Sequence, residues 1–458
     1  MQSNETIAAI STPPGRGAIG IVRLSGPAAD KIAGMVFRFG RPVPSFESCR
    51  MYHGRIVSPR TGRTVDEVMV SLMRAPRSYT GEDTLEIYCH GGPVVLQSVL
   101  DEVIRAGARP AGPGEFTARA FLNGRIDLAQ AEAVIDLISA SSSRAADLAL
   151  SQLQGTLSSG IRSLRDAVLD ALAPVEALVD FPDEEIETDL SAAANSIESI
   201  SGKICSLLNT YNEGRIAREG LDIVIAGRTN VGKSSLLNRL VGRERVIVTP
   251  LPGTTRDFIE ETVTIRGIPV RITDTAGIRD SSDAIERRGM EMVWDRIASA
   301  DAVLVMVDGS EPCGEEDIRI MSAAAGRPVV PVINKSDLAE RFAAEEMRKR
   351  LPDGDPVRIS AVRGDGMEEL EDRIITLCMG EAAERKAEAI LTNARHKALL
   401  EKARDLLSGA MEGLSRKASP EFVALDLREA ADALGEIIGE TAREDVLDRI
   451  FSRFCIGK

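Results

Sequence analysis

Eight consecutive residues combine glycine, lysine and serine in an order that suits phosphate binding. The run Gly227–Ser234 fits G-x-x-x-x-G-K-S, between a predicted strand at Asp222–Ala226 and a predicted helix at Ser235–Leu240. Its backbone N–H groups can close around a β-phosphate, Lys233 can neutralise the β- and γ-oxygens, and the Ser234 hydroxyl can bind Mg²⁺. Taken alone, the motif is also compatible with a plain glycine-rich turn between a strand and a helix.

Three further motifs follow in the order and spacing of a guanine-nucleotide site. D-x-x-G occurs at Asp274–Gly277, and N-K-x-D occurs at Asn334–Asp337. Asp337 can accept hydrogen bonds from the N1–H and the exocyclic amine of guanine, and adenine offers no such pair. Ser360-Ala361 can close the base pocket. The four motifs together predict a domain that binds and hydrolyses GTP, from about Leu221 to Cys378.

A loop between the phosphate motif and D-x-x-G is expected to order with GTP and to be released on hydrolysis. Thr255 in this loop is the predicted second hydroxyl ligand of Mg²⁺. Ile278 follows D-x-x-G, where Ras-type GTPases have a glutamine that orients the attacking water. Because isoleucine cannot hydrogen-bond, another group must position the water. Carboxylates just downstream are candidates, or they only solvate the loop: Asp280, Asp283 and Glu286.

The predicted contacts with GTP or GDP extend to the neighbours of these motifs. They comprise Asn230, Val231, Gly232, Lys233, Ser234, Ser235, Thr249, Pro250, Leu251, Pro252, Gly253, Thr254, Thr255, Asp274, Thr275, Ala276, Gly277, Asn334, Lys335, Ser336, Asp337, Ser360, Ala361 and Val362. Within this set Lys233 is predicted to be catalytic, because its charge offsets the charge that develops on the phosphate oxygens.

Apolar periodicity divides the chain into the segments that must position these residues. Residues 1–125 predict mixed α and β structure, with short β-branched runs separated by glycine and proline. Residues 126–216 and 381–458 predict helices. Residues 217–380 alternate strands with helices, which is typical of a parallel sheet covered on both faces. The prediction is a multidomain α+β and α/β chain, with a Ras-like P-loop GTPase domain inserted into one all-helical domain that is split in sequence.

Individual elements follow from the same patterns. The predicted strands include Ile19–Leu24, Val68–Met73, Thr84–Cys89, Asp222–Gly227, Val270–Thr273, Ala302–Asp308 and Val329–Asn334. Helical spacing continues through Leu148–Leu157 into Ile161–Val179 and breaks at Pro182. The later predicted helices are Leu190–Tyr211, Ala382–Leu407, Glu421–Ile438 and Arg443–Phe454.

Composition favours a folded protein of the cytoplasm without a membrane segment. Of the 458 residues, 28% are charged, 43% are hydrophobic and only 3% are aromatic, so the cores must be aliphatic. The first residues do not have the pattern of a signal peptide, and the longest apolar stretch, Ala302–Val307, is far short of the ~20 residues that cross a membrane. The six cysteines form no CxxC pair, which disfavours a zinc site or a disulfide framework.

Charge is unevenly distributed along the chain. The net charge of −14 argues against non-specific nucleic-acid binding by the whole surface. Residues 1–125 hold 15 Lys/Arg against 11 Asp/Glu, whereas residues 126–190 hold 3 against 13. A polyanion such as RNA could therefore still meet the N-terminal part, while the acidic segment is more simply a solvated helical face.

Eight further motifs, most of them outside the nucleotide site, lie at Thr12-Pro13-Pro14-Gly15-Arg16-Gly17, Gly81-Glu82-Asp83, His90-Gly91-Gly92-Pro93, Pro113-Gly114-Glu115-Phe116, Asp127-Leu128-Ala129-Gln130-Ala131-Glu132, Asp180-Phe181-Pro182-Asp183-Glu184-Glu185, Gly253-Thr254-Thr255-Arg256-Asp257 and Phe454-Cys455-Ile456-Gly457-Lys458. In these motifs and in their order, the chain resembles the tRNA modification GTPase family MnmE, also called TrmE, over essentially its full length.

The resemblance implies a homodimer, formed through the N-terminal domain, that acts on tRNA together with the flavoprotein MnmG. The partner would carry FAD, and a heterotetramer is expected. The pair would install an aminomethyl or carboxymethylaminomethyl group on the wobble uridine of certain tRNAs. The one-carbon unit would come from 5-formyl- or methylene-tetrahydrofolate, bound by the N-terminal domain. The GTPase domains would meet in the transition state, with K⁺ bound between the switch loop and the nucleotide.

The resemblance also implies roles for particular residues. The K⁺ ligands of the family match four positions here: Asn230, Thr249, Leu251 and Thr254. The catalytic glutamate of the family matches Glu286. Its folate-binding positions match Arg23, Glu86, Arg125 and Lys458. Arg125 departs from the family pattern, which has lysine there, and it presents a planar fork rather than a point donor.

Three questions stay open at this point. The chain could be a folate-binding scaffold whose GTPase only drives assembly, which differs from a modifying enzyme mainly in where the one-carbon chemistry occurs. A regulatory GTPase switch in ribosome assembly is the rival function, and a dedicated RNA-binding module such as a KH domain after the GTPase domain would favour it. Only predicted helices follow the GTPase domain here. Cys455, in the C-terminal tail, is either a nucleophile or a small apolar side chain that packs the tail, and the sequence places no histidine beside it.

Overall fold

A computed structural model describes residues 5–41, 45–181, 190–242, 259–274, 296–352, 354–379 and 389–458. The chain divides into two compact units. The first comprises Met1–Ile135, Gln152–Ala193 and Gly413–Lys458, and the second comprises Asp136–Ser151 and Ala194–Glu412. The fold class is the predicted one, with an N-terminal α+β domain, helical segments and a P-loop α/β domain. The four domain ranges of the sequence analysis, 1–125, 126–216, 217–380 and 381–458, stay predictions.

The N-terminal domain is built on a seven-stranded sheet. Its elements are β1 (Ile7–Ile10), β2 (Ile19–Ser25), α1 (Ala29–Val36), β3 (Phe37–Phe39), β4 (Met51–Val57), β5 (Thr64–Met73), β6 (Thr84–His90), α2 (Pro93–Arg105), β7 (Arg109–Pro110) and α3 (Glu115–Leu122). The strand order is β3-β4-β5-β6-β2-β1-β7, antiparallel except for β7 beside β1. Residues along β4 alternate between exposed and buried, since one face of the sheet packs its apolar side chains against α1 and α2.

The helical elements lie before and after the GTPase domain in sequence. Before it lie α4 (Leu128–Ser139), α5 (Ser143–Leu153), α6 (Thr156–Asp180), α7 (Ser191–Leu208) and α8 (Tyr211–Glu219). After it lie α13 (Ala394–Ser415), α14 (Pro420–Ile438) and α15 (Glu444–Phe451). Helix α14 packs along α6. The prediction of continuous helix through Leu148–Leu157 is wrong at one point. Helix α5 ends at Leu153 and α6 begins at Thr156, and Gly155 lies between them with φ +90°.

The second unit contains a six-stranded sheet of order β13-β12-β11-β8-β10-β9. Its elements are β8 (Leu221–Ala226), α9 (Lys233–Val241), β9 (Ile259–Ile265), β10 (Ile268–Asp274), β11 (Ala302–Asp308), α10 (Glu315–Ala324), β12 (Val329–Asn334), α11 (Ala344–Arg350), β13 (Val357–Arg358) and α12 (Met367–Met379). Every residue of β11 and β12 is buried, as expected for strands with helices on both faces. The sheet is parallel, as predicted, except at one edge, where β9 runs antiparallel to β10.

The predicted helix at Ala382–Leu407 begins later than expected. Residues 389–393 are not helical, and α13 starts at Ala394; residues 382–388 lie outside the described ranges. The physical reason lies at Leu391, whose side chain is buried and whose backbone N–H donates to the Thr210 hydroxyl at 3.0 Å. A tertiary hydrogen bond thus replaces a helical one.

Two expectations from composition can be compared with the structure. All six cysteines are free thiols. Within the stretches that the structure describes, no helix is both long enough and apolar enough to cross a membrane.

Candidate functional site

The phosphate-binding motif forms a tight loop between β8 and α9. Asn230 and Gly232 both have positive φ, at 65° and 100°, so the loop turns back on itself before the helix begins at Lys233. A Cβ atom at Gly232 would lie 2.4 Å from Nδ2 of Asn334, which leaves room only for glycine. The Lys233 side chain is buried, and its Nζ donates to the carbonyl oxygens of Gly227 at 2.5 Å and Arg228 at 2.9 Å. The loop therefore gathers N–H groups and a cation at a helix N-terminus, the arrangement that binds phosphate.

Asn334 joins the phosphate loop to the two predicted base-binding segments. Its side chain is 3% exposed, and its Nδ2 donates to the carbonyl oxygen of Val231 at 2.7 Å. Its Oδ1 accepts the backbone N–H of Ala361 at 3.0 Å. The Asn334 amide thus joins three predicted segments into one site, although Asn334 lies 103 residues from Val231 in sequence.

The carboxylate of Asp337 is held against the Ser360 segment of this site. Its Oδ1 accepts a hydrogen bond of 2.7 Å from Oγ of Ser360, a fully buried residue. That hydrogen bond is the main reason that the pKa of Asp337 lies below its usual value. The backbone of Ser336 donates to the carbonyl oxygen of Ile359 at 3.0 Å, which ties the two segments together. An ionised carboxylate fixed in this way can accept two N–H groups of a planar base.

The remaining predicted contacts of the nucleotide site have a mixed outcome. Ser234 and Ser235 lie in the first turn of α9, and the exposed Val362 follows Ala361. Asp274 ends β10, which pairs in parallel with β8, so its backbone lies at the sheet edge that carries the phosphate loop. The other predicted residues lie outside the described ranges: Thr249, Pro250, Leu251, Pro252, Gly253, Thr254, Thr255, Thr275, Ala276, Gly277, Ile278 and Glu286.

A second site in the N-terminal domain centres on Arg23 and Glu86. These residues face each other on β2 and β6, with Arg23 Nε and Nη2 at 2.9 and 2.8 Å from Glu86 Oε1. Each side chain is only 15% exposed. The other carboxylate oxygen, Oε2, accepts the Tyr88 hydroxyl at 2.6 Å, and burial followed by Glu86 raises the pKa of Tyr88 to about 12. Sequence reasoning missed Tyr88, although its position two residues after Glu86 puts both on one face of the strand.

The last residues of the chain pass beside this pair. The Cys455 carbonyl oxygen accepts the Gly114 N–H at 3.4 Å, and the Gly457 carbonyl oxygen accepts Arg23 Nη1 at 3.5 Å. Gly457 has φ +96°, and a Cβ there would lie 2.4 Å from the Ile10 carbonyl oxygen, so the tail fits closely against the domain. Burial, and after it the charge of Arg23, lowers the pKa of the Lys458 ammonium group.

Aromatic rings and a further arginine border the same place. The Arg23 guanidinium lies 5.5 Å from the ring centroid of Tyr79 and 5.8 Å from that of Phe116. Nε of Arg125 donates to the carbonyl oxygen of Ser78 at 3.3 Å, directly before Tyr79. The structure thus brings Arg23, Glu86 and Lys458 together, and it connects Arg125 to them only through the segment that carries Tyr79. Neither ring was predicted to lie at this site, although Phe116 belongs to one of the motifs that carry the resemblance.

Fold and site together define a P-loop GTPase, a hydrolase that acts on GTP. Family models match the MnmE helical domain at residues 128–455 and the N-terminus of the GTP-binding protein TrmE at residues 6–125. The chain belongs to the family of tRNA modification GTPases named MnmE.

Individual relatives match the chain from end to end. The tRNA modification GTPase MnmE of Syntrophus aciditrophicus is 50% identical over 454 residues, which cover 99% of each chain. That of Natranaerobius thermophilus is 46% identical over 457 residues, which cover 100% of each. Among solved structures, an Era variant from Aquifex aeolicus with bound GDP·AlF₄⁻ is 28% identical and covers 41% of this chain and 67% of its own. Its TM-score of 0.29 is too low to carry a structural argument.

Proposed function

We propose that this GTPase adds an aminomethyl or carboxymethylaminomethyl group to the wobble uridine of certain tRNAs, together with the flavoprotein MnmG. The relatives are named tRNA modification GTPases, which supports tRNA as the substrate. The one observation that carries the chemical part is the meeting of Arg23, Glu86 and Lys458 in one partly buried site. Such a site suits a small anionic cofactor with a hydrogen-bonding ring, and tetrahydrofolate has both features.

The N-terminal residues fit a folate in their chemistry. Two cations, Arg23 and Lys458, can hold carboxylates of the glutamate tail, and Arg125 can add a planar fork of donors. The Glu86 carboxylate can accept N–H groups of the pterin, while the rings of Tyr79 and Phe116 offer flat apolar surfaces. Bound methylene-tetrahydrofolate would supply the one-carbon unit at the oxidation level of the product, whereas the unit of 5-formyl-tetrahydrofolate would first need two electrons, which the reduced flavin of the partner could provide. The chain itself binds and orients the cofactor, and the flavoprotein contributes the FAD.

The nucleotide site has residues that fit GTP and two cations. The loop amides and Lys233 hold the phosphates, and Asp337 accepts the guanine N–H groups. Hydroxyl groups of Ser234 and Thr255 can hold Mg²⁺, which neutralises charge on the β- and γ-oxygens when it is bound. The exposed amide of Asn230, with Thr249, Leu251 and Thr254, supplies oxygen atoms of the kind that bind K⁺.

Water activation is assigned to Glu286. The support is chemical: Ile278 cannot orient a water, and a carboxylate eight residues downstream in sequence can accept its proton. K⁺ would bind where the chain offers no obvious arginine finger. The homodimer, the meeting of two GTPase domains and the heterotetramer with the flavoprotein belong to the same proposal and rest on family membership.

Reconstitution with purified components tests the proposed function. The full chain is mixed with the flavoprotein, FAD, GTP in KCl, unmodified tRNA, ammonium or glycine as the source of the amine nitrogen, and methylene-tetrahydrofolate that carries a ¹³C label in its one-carbon unit. Mass spectrometry of the digested tRNA should find one labelled carbon in a modified uridine, and omission of GTP or of the flavoprotein should abolish it. Active GTP turnover without any label in tRNA would overturn the proposal. Arg74→Ala, which alters a partly exposed arginine paired with Asp30 and Asp83, serves as a control that should keep the label.

A further inference from the structure

A short turn after β11 packs directly against the start of the base-binding loop. Asp308 ends β11 and pairs in register with Asn334 of β12. The Gly309 backbone N–H donates to the Asn334 carbonyl oxygen at 2.8 Å, and a Cβ at Gly309 would lie 2.9 Å from that same oxygen. The turn is therefore in fixed contact with the residue that immediately precedes Lys335.

The Asp308 carboxylate is buried and has hydrogen-bond donors on both oxygens. Oδ1 accepts the backbone N–H of Ser310 at 2.9 Å and its hydroxyl at 2.7 Å. Oδ2 lies 2.5 Å from Nζ of Lys335. Burial alone would raise the pKa of Asp308, but the hydrogen bonds from Lys335 and Ser310 lower it below its usual value. The carboxylate is thus an ionised anchor, with its side chain only 4% exposed.

Lys335 needs such an anchor because of its backbone conformation. Its φ is +64°, in the left-handed region that lysine rarely adopts. Residues in this region persist where surrounding contacts over-determine them. Here the ion pair to Asp308 holds the side chain, while the backbone of Ser336 is bonded to Ile359 and the Leu338 N–H donates to the Lys335 carbonyl oxygen at 2.9 Å. The turn at Lys335 sets the direction in which the chain continues to Asp337.

We propose that Asp308 is a positioning residue for guanine recognition, acting through Lys335 on the loop that presents Asp337. The inference rests on the assignment of Asp337 to guanine in the proposed function. Asp337 is fixed on one side by Ser360, and the backbone turn at Lys335 fixes the other side. Both of its oxygens must align with two N–H groups of the base, so a small shift of the loop costs the contact with the exocyclic amine first.

The test compares affinities for GDP and for inosine diphosphate, whose base lacks the exocyclic amine. Asp308→Asn keeps the size of the side chain and an acceptor for Ser310, but it loses the charge that holds Lys335. We expect the variant to weaken GDP binding by about tenfold, the scale of one charge-assisted hydrogen bond. The loss of affinity for inosine diphosphate should be smaller. The ratio of the dissociation constant for inosine diphosphate to that for GDP should therefore fall. A merely structural role would leave that ratio unchanged.

Two further variants identify the route of the effect. In a Lys335→Ala background, Asp308→Asn should add little further loss, because residues that act through one contact are not additive. Glu315→Gln removes a carboxylate just after the same turn that is 92% exposed, and it should leave both affinities unchanged. Additive losses in the double variant would overturn the route through Lys335.

Failure of the inference can be told from failure of the proposed guanine contact. Asp337→Asn is measured alongside as the reference. If Asp337→Asn lowers the ratio and Asp308→Asn does not, the positioning role of Asp308 is wrong while the guanine assignment stands. If neither variant changes the ratio, the assignment of Asp337 itself is wrong. Both dissociation constants come from one preparation of the full chain, so a reduced folded fraction does not alter the ratio.

Discussion

The guanidinium of Arg23 donates to the carbonyl oxygen of Gly457 at 3.5 Å, although 434 residues separate them in sequence. Because Arg23 also pairs with Glu86, the C-terminal tail lies against an ion pair that joins β2 to β6. The tail motif of the sequence therefore has a structural explanation. It brings Lys458 close to the Arg23–Glu86 ion pair, in which each side chain is 15% exposed. The first predictions follow from this arrangement.

Arg23→Ala should abolish folate binding while basal GTP hydrolysis is kept. Removing the guanidinium takes away one charge-assisted contact with the cofactor and leaves Glu86 with the Tyr88 hydroxyl but without its cationic partner, so a loss of at least about tenfold is expected. Titration calorimetry with 5-formyltetrahydrofolate measures the affinity, and phosphate release measures the GTPase. Arg74→Ala is the matched control. Normal folate binding by the Arg23 variant would remove this residue from the site.

Folate affinity should fall as pH rises, at a lower pH than an ordinary lysine would give. Burial and Arg23 lower the pKa of Lys458 from 10.5, so the folded chain loses this positive charge before the unfolded chain does. In the window between the lowered value and 10.5 an anionic cofactor loses its partner. The free energy of unfolding changes in the opposite direction to folate affinity. In this pH window the unfolded chain holds one more proton than the folded chain, so the folded state gains stability as pH rises.

Lys458→Arg provides the comparison for that pH effect, because arginine stays charged throughout the range. Affinities of the two proteins are measured side by side, so any titration of the folate itself cancels. The wild-type affinity should fall relative to that of the variant toward high pH. Parallel profiles would mean that the Lys458 ammonium group does not contact the cofactor.

Asp337→Asn should weaken GTP binding and turn the preference toward xanthosine triphosphate. The new amide donates where the carboxylate accepted, and xanthine offers a carbonyl oxygen at that position. A shift of about 10²-fold in the ratio of the two affinities is expected, within the range that hydrogen-bonding sites achieve. Calorimetry with both nucleotides gives the ratio. Unchanged GTP affinity would refute the assignment of Asp337 to guanine.

GTP turnover should be faster in KCl than in NaCl, and it should depend on Glu286. In K⁺ with a transition-state mimic the GTPase domains should dimerise, which light scattering can follow. Glu286→Ala should lower kcat by roughly 10²-fold or more, the scale of a general base, with fluorescent GTP affinity nearly unchanged. Asp283→Ala is the matched acidic control. Equal rates in the two salts would remove K⁺ from the mechanism, and wild-type kcat in the Glu286 variant would make this stretch a solvated loop.

Sequence patterns predicted the GTPase domain best where burial is continuous. The predicted bounds of β11 and β12 agree with the structure, because both strands are apolar along their whole length. Elements with less continuous apolar patterns were missed. The exposed positions of β4 carry residues such as His53 and Arg55, and this strand was not predicted. The break at Gly155 was also missed, since periodicity alone does not report a positive φ.

The candidate sites differ in how far sequence could predict them. The phosphate loop and Asn334 could be predicted from short motifs, because the residues that act together there are close together in sequence. The pairing of Arg23 with Glu86 depends on which strands are neighbours, and the path of the tail depends on tertiary contacts at Gly114 and Gly457. Neither is encoded in spacing along the chain. Tyr79 and Tyr88 enter the N-terminal site only through these contacts.

The central claim, that this GTPase modifies the wobble uridine of tRNA, is tested most directly by nucleoside mass spectrometry of tRNA from a strain that lacks the gene. The account predicts that the aminomethyl and carboxymethylaminomethyl uridines disappear and that unmodified uridine replaces them. A wild-type copy should restore the modification, and copies with Arg23→Ala or Lys233→Ala should not. Undiminished modified uridine in the deletion strain would contradict the account.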